Sequence, residues 1–168
     1  VENIVNTFKE NDLIHVSAVF VNKPDAYVLD RAKRLGVESF VFDREGFRGT
    51  TKVLDKLNDF KPDLIVLAGF LWLMPSNIVN AYKGKIINIH PALLPKYGGK
   101  GMYGMKVHEA VVENKEPESG ITIHSIDENY DEGSIIFQAE CIVDKTDTPD
   151  DVADKVHALD YKQFPEVI

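Results

Sequence analysis

The sequence contains little cysteine, fewer basic than acidic residues, and no long hydrophobic run. Its one cysteine, Cys141, cannot form an internal disulfide, and no second cysteine offers the spacing of a metal site. No apolar run is long enough to span a membrane and no secretory signal is visible, so we expect a cytoplasmic protein without a membrane partner. Lysine and arginine number 19 against 27 aspartates and glutamates, and the net charge of -8 disfavours a nucleic-acid partner.

What remains is the profile of a small globular protein. The chain has 168 residues, of which 44% are hydrophobic and 27% are charged. This length suits one domain with its own core and is too short for two ordinary ones. No repeat or linker interrupts the chain. We therefore expect a single domain over residues 1–168, as a monomer or a homodimer.

The first half alternates apolar, β-branched runs with amphipathic segments. Strands are expected at His15–Val21, Ser39–Phe42, Asp63–Ala68 and Lys85–Ile89, and helices at Asp25–Leu35, Phe47–Phe60 and from Pro75 to about Tyr82. Alternation of this kind predicts an α/β fold, with a Rossmann-like, doubly wound and mostly parallel sheet that carries helices on both faces. Ligands of such sheets bind at the carboxyl ends of the strands.

The second half has a different pattern, which predicts a mixed sheet there. A helix is expected at Met105–Asn114, strands at Gly120–Ile126 and Ser134–Val143, and a last helix from near Pro149 to about Phe164. Thr148 before Pro149 is a favourable helix start, because the hydroxyl can cap the helix and proline fits its first turn.

Asn88 and His90, at the end of a predicted strand, give the clearest chemical signal. Side chains two residues apart on a strand project from the same face. There an amide can donate a hydrogen bond to an oxygen that gains negative charge, and an imidazole can donate another or move a proton. This pair suits attack on a carbonyl carbon, although the same residues often only tie down a loop. Since no serine or cysteine presents itself as a nucleophile beside His90, the chemistry favoured is direct acyl transfer or hydrolysis.

An acidic segment, Asp127–Gly133, lies between the two predicted C-terminal strands. It is either a solvated turn, a metal site or the source of one functional carboxylate. The segment lacks the alternating register of a calcium loop, so no metal is expected. In the third case Asp131 reaches the imidazole of His90. A carboxylate there would raise the His90 pKa and keep the ring charged near neutral pH.

Three segments carry a distinctive combination of motifs: V-L-A-G-F-L-W-L-M-P at 66–75, N-I-H-P-A-L-L-P-K-Y at 88–97, and G-I-T-I-H-S-I-D-E-N-Y-D-E-G at 120–133. Together they resemble the formyltransferase family that uses 10-formyltetrahydrofolate, and the resemblance runs over essentially the whole chain. Within that family the pattern is most similar to the members that act on glycinamide ribonucleotide.

The resemblance implies an enzyme of de novo purine biosynthesis. It would transfer the formyl group of 10-formyltetrahydrofolate to the amine of glycinamide ribonucleotide by direct attack, through a tetrahedral intermediate. The products would be formylglycinamide ribonucleotide and tetrahydrofolate. Asn88 would polarise the formyl oxygen, His90 would stabilise the oxyanion as the charged partner, and Asp131 would hold His90 and organise proton movement from the amine.

The resemblance also implies the residues that bind the two small molecules. The folate would lie on an apolar bed with backbone donors and acceptors, formed by Leu71, Trp72, Leu73, Met74, Val79, Ile126, Asp127 and Glu128. The ribonucleotide would contact Ile89, Pro91 and Asp160, the last at a position where the family usually has glutamate. His124 would support the site. The remaining histidines, for which the sequence names no partner, are expected at the surface or as caps: His15, His108 and His157.

Two features depart from the family pattern. The family begins with a strand and a glycine-rich loop that cradles the substrate phosphate, and this chain starts inside the following helix. A chain without that loop is expected to bind the ribonucleotide poorly. The segment Gly98–Gly104 is longer and richer in glycine than usual, which suggests a mobile lid near the amine site.

Three other functions compete with this interpretation. A formyltetrahydrofolate hydrolase would share Asn88, His90 and Asp131 but use water as the acceptor. A methionyl-tRNA formyltransferase would be longer, with a basic RNA-binding domain, and the acidic charge argues against it. A nucleotide-binding regulatory module would catalyse nothing, and substituting the same three residues would change only its stability.

Overall fold

The computed structural model describes residues 1–127 and 131–168, and the chain forms two compact units, Val1–Asp63 and Leu64–Ile168. The expectation of a single domain is neither supported nor opposed by this division, and it stays a prediction. Within the described ranges, no helix combines the length and the apolar character that a membrane crossing requires.

The first unit is built around a pair of parallel strands. Its elements are α1 (Glu2–Thr7), β1 (Ala18–Val21), α2 (Val28–Leu35), β2 (Glu38–Val41), α3 (Arg44–Arg48) and α4 (Lys52–Phe60). β1 pairs with β2 in parallel, with Ala18 opposite Glu38, and α2 connects the two strands. Val19, Val21 and Ala32 are buried between the strands and α2. This is one βαβ unit of the predicted kind.

The predicted helix Phe47–Phe60 is two helices in the structure. α3 begins after Asp43, whose carboxylate accepts a hydrogen bond from the Gly46 N–H at 2.7 Å. It ends at Arg48, before Gly49, and α4 begins only after Thr51. Glycine and threonine are poor residues for a helix interior, and three of them in succession interrupt the helix.

The second unit contains a four-stranded mixed sheet. Its elements are β3 (Ile65–Leu67), α5 (Ser76–Ala81), β4 (Ile86–His90), α6 (Met105–Glu113), β5 (Glu118–Ser125), β6 (Ile135–Ile142) and α7 (Pro149–Val167). The strand order is β3-β4-β5-β6. β3 and β4 are parallel, whereas β5 is antiparallel to both of its neighbours. The fold is therefore α/β, parallel first and mixed in its C-terminal half, as the sequence predicts.

Two helices cover the buried strand β5. Val111 of α6 and the pair Val152 and Val156 of α7 pack against Ile121 of β5 in one hydrophobic cluster. α7 begins with a capping box: the Thr148 hydroxyl accepts a hydrogen bond from the Asp151 N–H, and the Asp151 carboxylate accepts one from the Thr148 N–H. The helix includes Pro165 and ends at Val167, three residues beyond the predicted end at Phe164. This packing anchors α7 against β5.

Gly120 allows β5 and β6 to approach closely, and we expect Gly120→Ala to destabilise the fold. A Cβ at this position would overlap the carbonyl oxygen of Ala139 on β6 and would lie 2.8 Å from the Leu93 side chain. Relieving such an overlap requires a backbone shift, which costs about 1–3 kcal/mol. The free energy of unfolding, measured with urea, should fall by that amount. Glu118→Ala, at an exposed position of the same strand, is the matched control, and equal stability of the two variants would contradict this account.

Candidate active site

A cavity of about 520 Å³ lies in the second unit, at the carboxyl ends of β3 and β4. Leu67 is the last residue of β3 and His90 the last of β4, and with Asn88 of β4 they contribute to the cavity wall. This is the position at which open α/β sheets bind their ligands. Other parts of the unit add further lining residues: Pro91, Gly69–Met74, Gly99–Gly104, Ile121, Ile126, Asp131, and Val156, His157 and Asp160 of α7.

Asn88 is held by His124, a residue that the antiparallel register places directly opposite it on β5. The amide nitrogen of Asn88 lies 3.1 Å from Nε2 of His124, and Nδ1 of His124 lies 3.0 Å from the carbonyl oxygen of Ser125. A carbonyl can only accept a hydrogen bond, so Nδ1 carries the proton of the neutral ring and Nε2 accepts from Asn88. His124 is completely buried. It therefore fixes the orientation of the Asn88 amide, whose second N–H remains to bind a ligand.

His90 is held by a hydrogen bond through one ring nitrogen and faces a carboxylate with the other. Nε2 donates to the carbonyl oxygen of Tyr97 over 2.7 Å, and Nδ1 lies 3.6 Å from Oδ2 of Asp131. The side chain is buried but reaches the cavity. Because Nε2 holds the proton of the neutral ring, Nδ1 presents its lone pair next to a carboxylate. Proton uptake at Nδ1 would convert this contact into an ion pair.

The loop after β4 is tied to its surroundings by side chains of neighbouring elements. The buried hydroxyl of Thr122 donates to the carbonyl oxygen of Ala92 over 2.6 Å and accepts from the Leu94 N–H at 2.9 Å. Further along, the Tyr97 hydroxyl and the Lys96 ammonium both donate to the Glu116 carboxylate at 2.9 Å. These bonds hold the Tyr97 carbonyl oxygen in the position where it accepts a hydrogen bond from His90.

Asp131 joins the two histidines to the glycine-rich loop. Oδ2 accepts a hydrogen bond from the Gly99 N–H at 2.9 Å, and Oδ1 lies 3.5 Å from Nε2 of His124. Burial raises the pKa of the Asp131 carboxyl, but the His124 ring, the Gly99 N–H and His90 favour the charged form more strongly, and the pKa lies below its ordinary value. Gly99 has a φ of 90°, which only glycine adopts readily.

The structure corrects the predicted charge state of His90. From the sequence, Asp131 is expected to raise the His90 pKa and keep the ring charged near neutrality. Burial lowers the pKa of His90, and this effect outweighs the opposing influence of Asp131. The pKa therefore lies below the ordinary value of 6.5, and the ring is neutral at pH 7. His90 is thus able to accept a proton during a reaction, and it does not carry a positive charge before the reaction begins.

Most residues predicted to bind the folate lie together in the cavity wall. Leu71, Trp72, Leu73, Met74 and Ile126 line it, together with Phe70, whose ring centroid is 6.1 Å from that of Trp72. Trp72 therefore lies at the cavity. Val79 is buried in α5, and neither it nor Asp127 is among the lining residues. Glu128 lies outside the described residues.

The residues predicted to bind the acceptor also line the cavity. Ile89, Pro91 and Asp160 all contribute to the wall. Burial raises the pKa of the Asp160 carboxyl above its ordinary value, and the neighbouring His157 opposes this effect. His157 itself lines the cavity, a position that is not predicted from the sequence. The spacing of three residues from Asp160 on a predicted helix is a signal that could have found it.

His108 is buried, which corrects the expectation that it lies at the surface or caps a helix. Its side chain is 2% exposed, and its Nδ1 has no hydrogen-bond partner among the described residues. The ring contacts that of His157, with centroids 6.4 Å apart and an angle of 80° between the planes. Burial lowers the pKa of His108, and the nearby His157 and His90 lower it further.

The two buried histidines should make the protein less stable as the pH falls below neutrality. The folded chain keeps His90 and His108 neutral at a pH where the unfolded chain protonates them, since their pKa values are lowered from 6.5. The unfolded state then binds more protons, so the free energy of unfolding decreases as the pH falls below 6.5. Each ring contributes up to about 1.4 kcal/mol per pH unit.

Urea unfolding at several pH values over about two pH units, roughly from 7.5 to 5.5, would measure how the free energy of unfolding depends on pH. His108→Leu should lose part of the pH dependence, whereas His15→Leu, at an exposed position, should keep the dependence of the unmodified protein. A stability that is constant or rises toward pH 5.5 would contradict the assignment of neutral, buried rings.

No metal site is indicated by the described geometry. In residues 1–127 and 131–168, no group of three or more histidine, cysteine, aspartate or glutamate side chains is arranged to hold an ion. Of the alternatives for the acidic segment, the geometry supports a functional carboxylate, because Asp131 faces His90 and His124. The Gly99–Gly104 segment lines the cavity, while its action as a lid stays a prediction.

Comparison with known proteins identifies the family. The model of the formyl transferase family matches residues 1–168, the whole chain. The chain belongs to the formyl transferase family. A phosphoribosylglycinamide formyltransferase of Bacillus subtilis is 34% identical over 172 aligned residues, which cover 99% of this chain and 86% of that protein. The chloroplastic enzyme of that name from Arabidopsis thaliana is 40% identical over 91% of this chain.

Solved structures of family members have the same fold. The glycinamide ribonucleotide transformylase 1 of Symbiobacterium toebii superposes with a TM-score of 0.88 at 30% identity, over 99% of this chain and 79% of that one. A phosphoribosylglycinamide formyltransferase from Coxiella burnetii gives 0.88 at 33% identity, over 99% and 78%. The chain spans about half the length of two plant relatives, 54% and 50%. The family and the fold are thereby established.

Proposed function

We propose that the chain is the formyltransferase domain, residues 1–168, of an enzyme that transfers the formyl group of 10-formyltetrahydrofolate to the amine of glycinamide ribonucleotide. The observation that carries this proposal is the convergence of Asn88, His90 and Asp131 on one cavity with an apolar wall. The reaction would take place in the cytoplasm, as one step of purine biosynthesis between small molecules, without a metal.

Asn88 would bind the formyl oxygen. One of its amide hydrogens is committed to His124, and the rigid, buried ring of His124 directs the other. As the amine attacks, the formyl carbon forms a bond to nitrogen and its oxygen gains negative charge in the tetrahedral intermediate. A donor that is already oriented stabilises that charge without reorganisation, which is the main source of catalysis in acyl transfer.

His90 and Asp131 would remove the proton that the attacking amine must lose. Nδ1 of the neutral His90 ring is free to accept it, and the charged Asp131 at 3.6 Å stabilises the imidazolium that results. The new positive charge lies beside the oxyanion and stabilises it in turn. When the intermediate collapses, the bond from carbon to the folate nitrogen breaks, and that nitrogen receives the proton that His90 took from the amine, which returns His90 to its neutral state.

The walls of the cavity fit the two substrates. Phe70 and Trp72, with Leu71, Leu73 and Met74, give the flat, apolar surface on which a fused heterocycle packs, and Ile126 adds a second apolar side. Asp160 offers a carboxylate to the hydroxyl groups of a ribose. Predicted contacts with Val79, Asp127 and Glu128 are part of the same proposal. Relatives of this chain in Bacillus subtilis and Escherichia coli are phosphoribosylglycinamide formyltransferases, which supports the choice of acceptor.

Turnover of 10-formyltetrahydrofolate by the full-length protein, with and without glycinamide ribonucleotide, tests the proposal. We expect tetrahydrofolate to form only when the ribonucleotide is present. Equal turnover without it would show that water is the acceptor, and the hydrolase would replace the transferase. Absence of turnover in both cases, with a folded protein, would contradict catalysis of either kind.

A further inference from the structure

Two hydrogen-bond acceptors compete for the single proton of the neutral His90 ring. The Tyr97 carbonyl oxygen lies 2.7 Å from Nε2, and Oδ2 of Asp131 lies 3.6 Å from Nδ1. The position of the proton in a neutral imidazole is set by such neighbours. In the proposed reaction Nδ1 accepts the proton of the amine, so the ring must keep its own proton at Nε2. This requires the Tyr97 carbonyl to stay within hydrogen-bond distance.

Tyr97 presents its carbonyl to His90 from a backbone conformation that a tyrosine does not adopt readily. Its φ is 56°, in the left-handed region, where a Cβ atom crowds the following carbonyl oxygen. Such a conformation persists only when contacts with the surroundings maintain it. The Tyr97 side chain provides one contact, because it packs on the hydrophobic cluster that α6, β5 and α7 form. Its hydroxyl group provides another.

The carboxylate of Glu116 accepts a hydrogen bond from this hydroxyl. The Tyr97 hydroxyl donates to Oε1 at 2.9 Å, and the Lys96 ammonium donates to Oε2 at the same distance. The bonds from Lys96 and Tyr97 lower the pKa of the Glu116 carboxyl, so the acceptor is charged, and hydrogen bonds to a charged acceptor are the stronger kind. The Asn114 amide also neighbours the hydroxyl, but the single proton of the hydroxyl goes to Glu116.

The backbone of Glu116 is attached to α6 and not to the loop that carries Tyr97. Its N–H donates to the carbonyl oxygen of Val111, a buried residue of α6, at 3.1 Å. The Lys115 N–H donates to the carbonyl oxygen of Val112 at 3.0 Å. The Glu116 side chain is 19% exposed, and it is not among the residues that line the cavity. Glu116 therefore links the loop to a helix of the core without touching the reacting atoms.

We propose that Glu116 is a positioning residue: through the Tyr97 hydroxyl, it holds the Tyr97 carbonyl against Nε2 of His90 and keeps the ring proton there. Nδ1 then retains its lone pair and can accept the proton of the attacking amine. If the carbonyl moves away, the proton passes to Nδ1 and donates to Asp131, and the ring offers the amine no base. The effect on the rate rests on the proposed function, whereas the position of the proton is a property of the protein alone.

The ¹⁵N NMR spectrum of the full-length protein, labelled in its histidines, reports the position of the proton, because protonated and unprotonated ring nitrogens resonate far apart. At neutral pH we expect a protonated Nε2 and an unprotonated Nδ1 for His90, whose signals are identified by their loss in His90→Asn. In Glu116→Ala and in Tyr97→Phe, which each remove one end of the bond, the two resonances should approach each other or exchange places. Glu116→Gln keeps an oxygen that accepts from the hydroxyl and should restore most of the original pattern. Glu113→Ala, at an exposed position of α6, is the control.

Steady-state kinetics of the same variants connect the proton position with the reaction. Glu116→Ala and Tyr97→Phe should each lower kcat about five- to tenfold, as for the loss of one hydrogen bond. The KM values of both substrates should change less than about twofold, because neither variant alters a predicted substrate contact. Glu116→Gln and the Glu113→Ala control should keep a kcat within about twofold of normal.

Two results would overturn the role of Glu116. One is a His90 spectrum that stays unchanged in Glu116→Ala and Tyr97→Phe, whatever their rates, since a loss of rate alone would reflect a general effect on the structure. The other is a changed spectrum with a normal kcat in an active protein. Absence of turnover in the unmodified protein would instead contradict the proposed function, and the His90 spectrum would still decide whether Glu116 sets the position of the proton.

Discussion

Asn88→Ala is expected to reduce kcat by about 10²- to 10³-fold, the usual cost of removing one oriented donor from an oxyanion site. The substitution removes the N–H that the His124 ring directs into the cavity. Since the donor acts mainly on charge that develops during attack, kcat and kcat/KM should fall together, with little change in KM. Steady-state kinetics with both substrates at saturation would measure the loss.

Asn114→Ala is the matched control for this experiment. Asn114 is exposed at the end of α6, where its amide donates to the carbonyl oxygen of Ala110, and it takes no part in the cavity. The control should retain the rate of the unmodified protein. Circular dichroism and thermal unfolding would verify that the Asn88 variant is folded. A folded Asn88→Ala with a kcat within about threefold of normal would contradict the role assigned to the amide.

Asp131→Asn should lower kcat well over tenfold while the chain still folds. The amide has nearly the shape of the carboxylate, and its oxygen can still accept the hydrogen bond from the Gly99 N–H. What is lost is the negative charge 3.6 Å from Nδ1 of His90. Without that charge the imidazolium formed during attack is no longer stabilised, so proton removal from the amine becomes slower.

The pH dependence of Asp131→Asn provides a second and more specific result. Burial lowers the pKa of His90, and the Asp131 charge partly opposes this effect. Removing the charge should lower the His90 pKa further, so the acidic limb of the profile of kcat/KM against pH should move to lower pH. Asp154→Asn, at an exposed position of α7, should leave the profile unchanged. A limb that moves to higher pH, or a variant with full activity, would contradict the proposed role.

The order of elements and the place of the site follow from the sequence with little ambiguity. Apolar runs such as residues 63–68 and the alternation of strands and helices predict the parallel part of the sheet, and the period of two predicts that Asn88 and His90 share a face. Both signals depend only on residues close together in the chain. The partner of Asn88 is different, because His124 meets it through the antiparallel register of β4 and β5, 36 residues later.

The charge state of His90 and the burial of His108 could not be predicted, because both depend on packing. A carboxylate close to a histidine raises its pKa, whereas burial lowers it, and only the packed structure determines which effect is larger. His108 and His157 lie on helices separated by two strands in sequence, and their contact arises where α6 and α7 pack over β5. Spacing in the sequence carries no information on such a contact.

The destination of the formyl group tests the central claim most directly. Donor labelled with ¹³C at the formyl carbon would be incubated with the full-length protein and glycinamide ribonucleotide, and the products would be analysed by NMR spectroscopy. We predict that the label appears in the formamide of formylglycinamide ribonucleotide, in an amount equal to the tetrahydrofolate produced. Label recovered as free formate, with the ribonucleotide unchanged, would contradict formyl transfer to the amine.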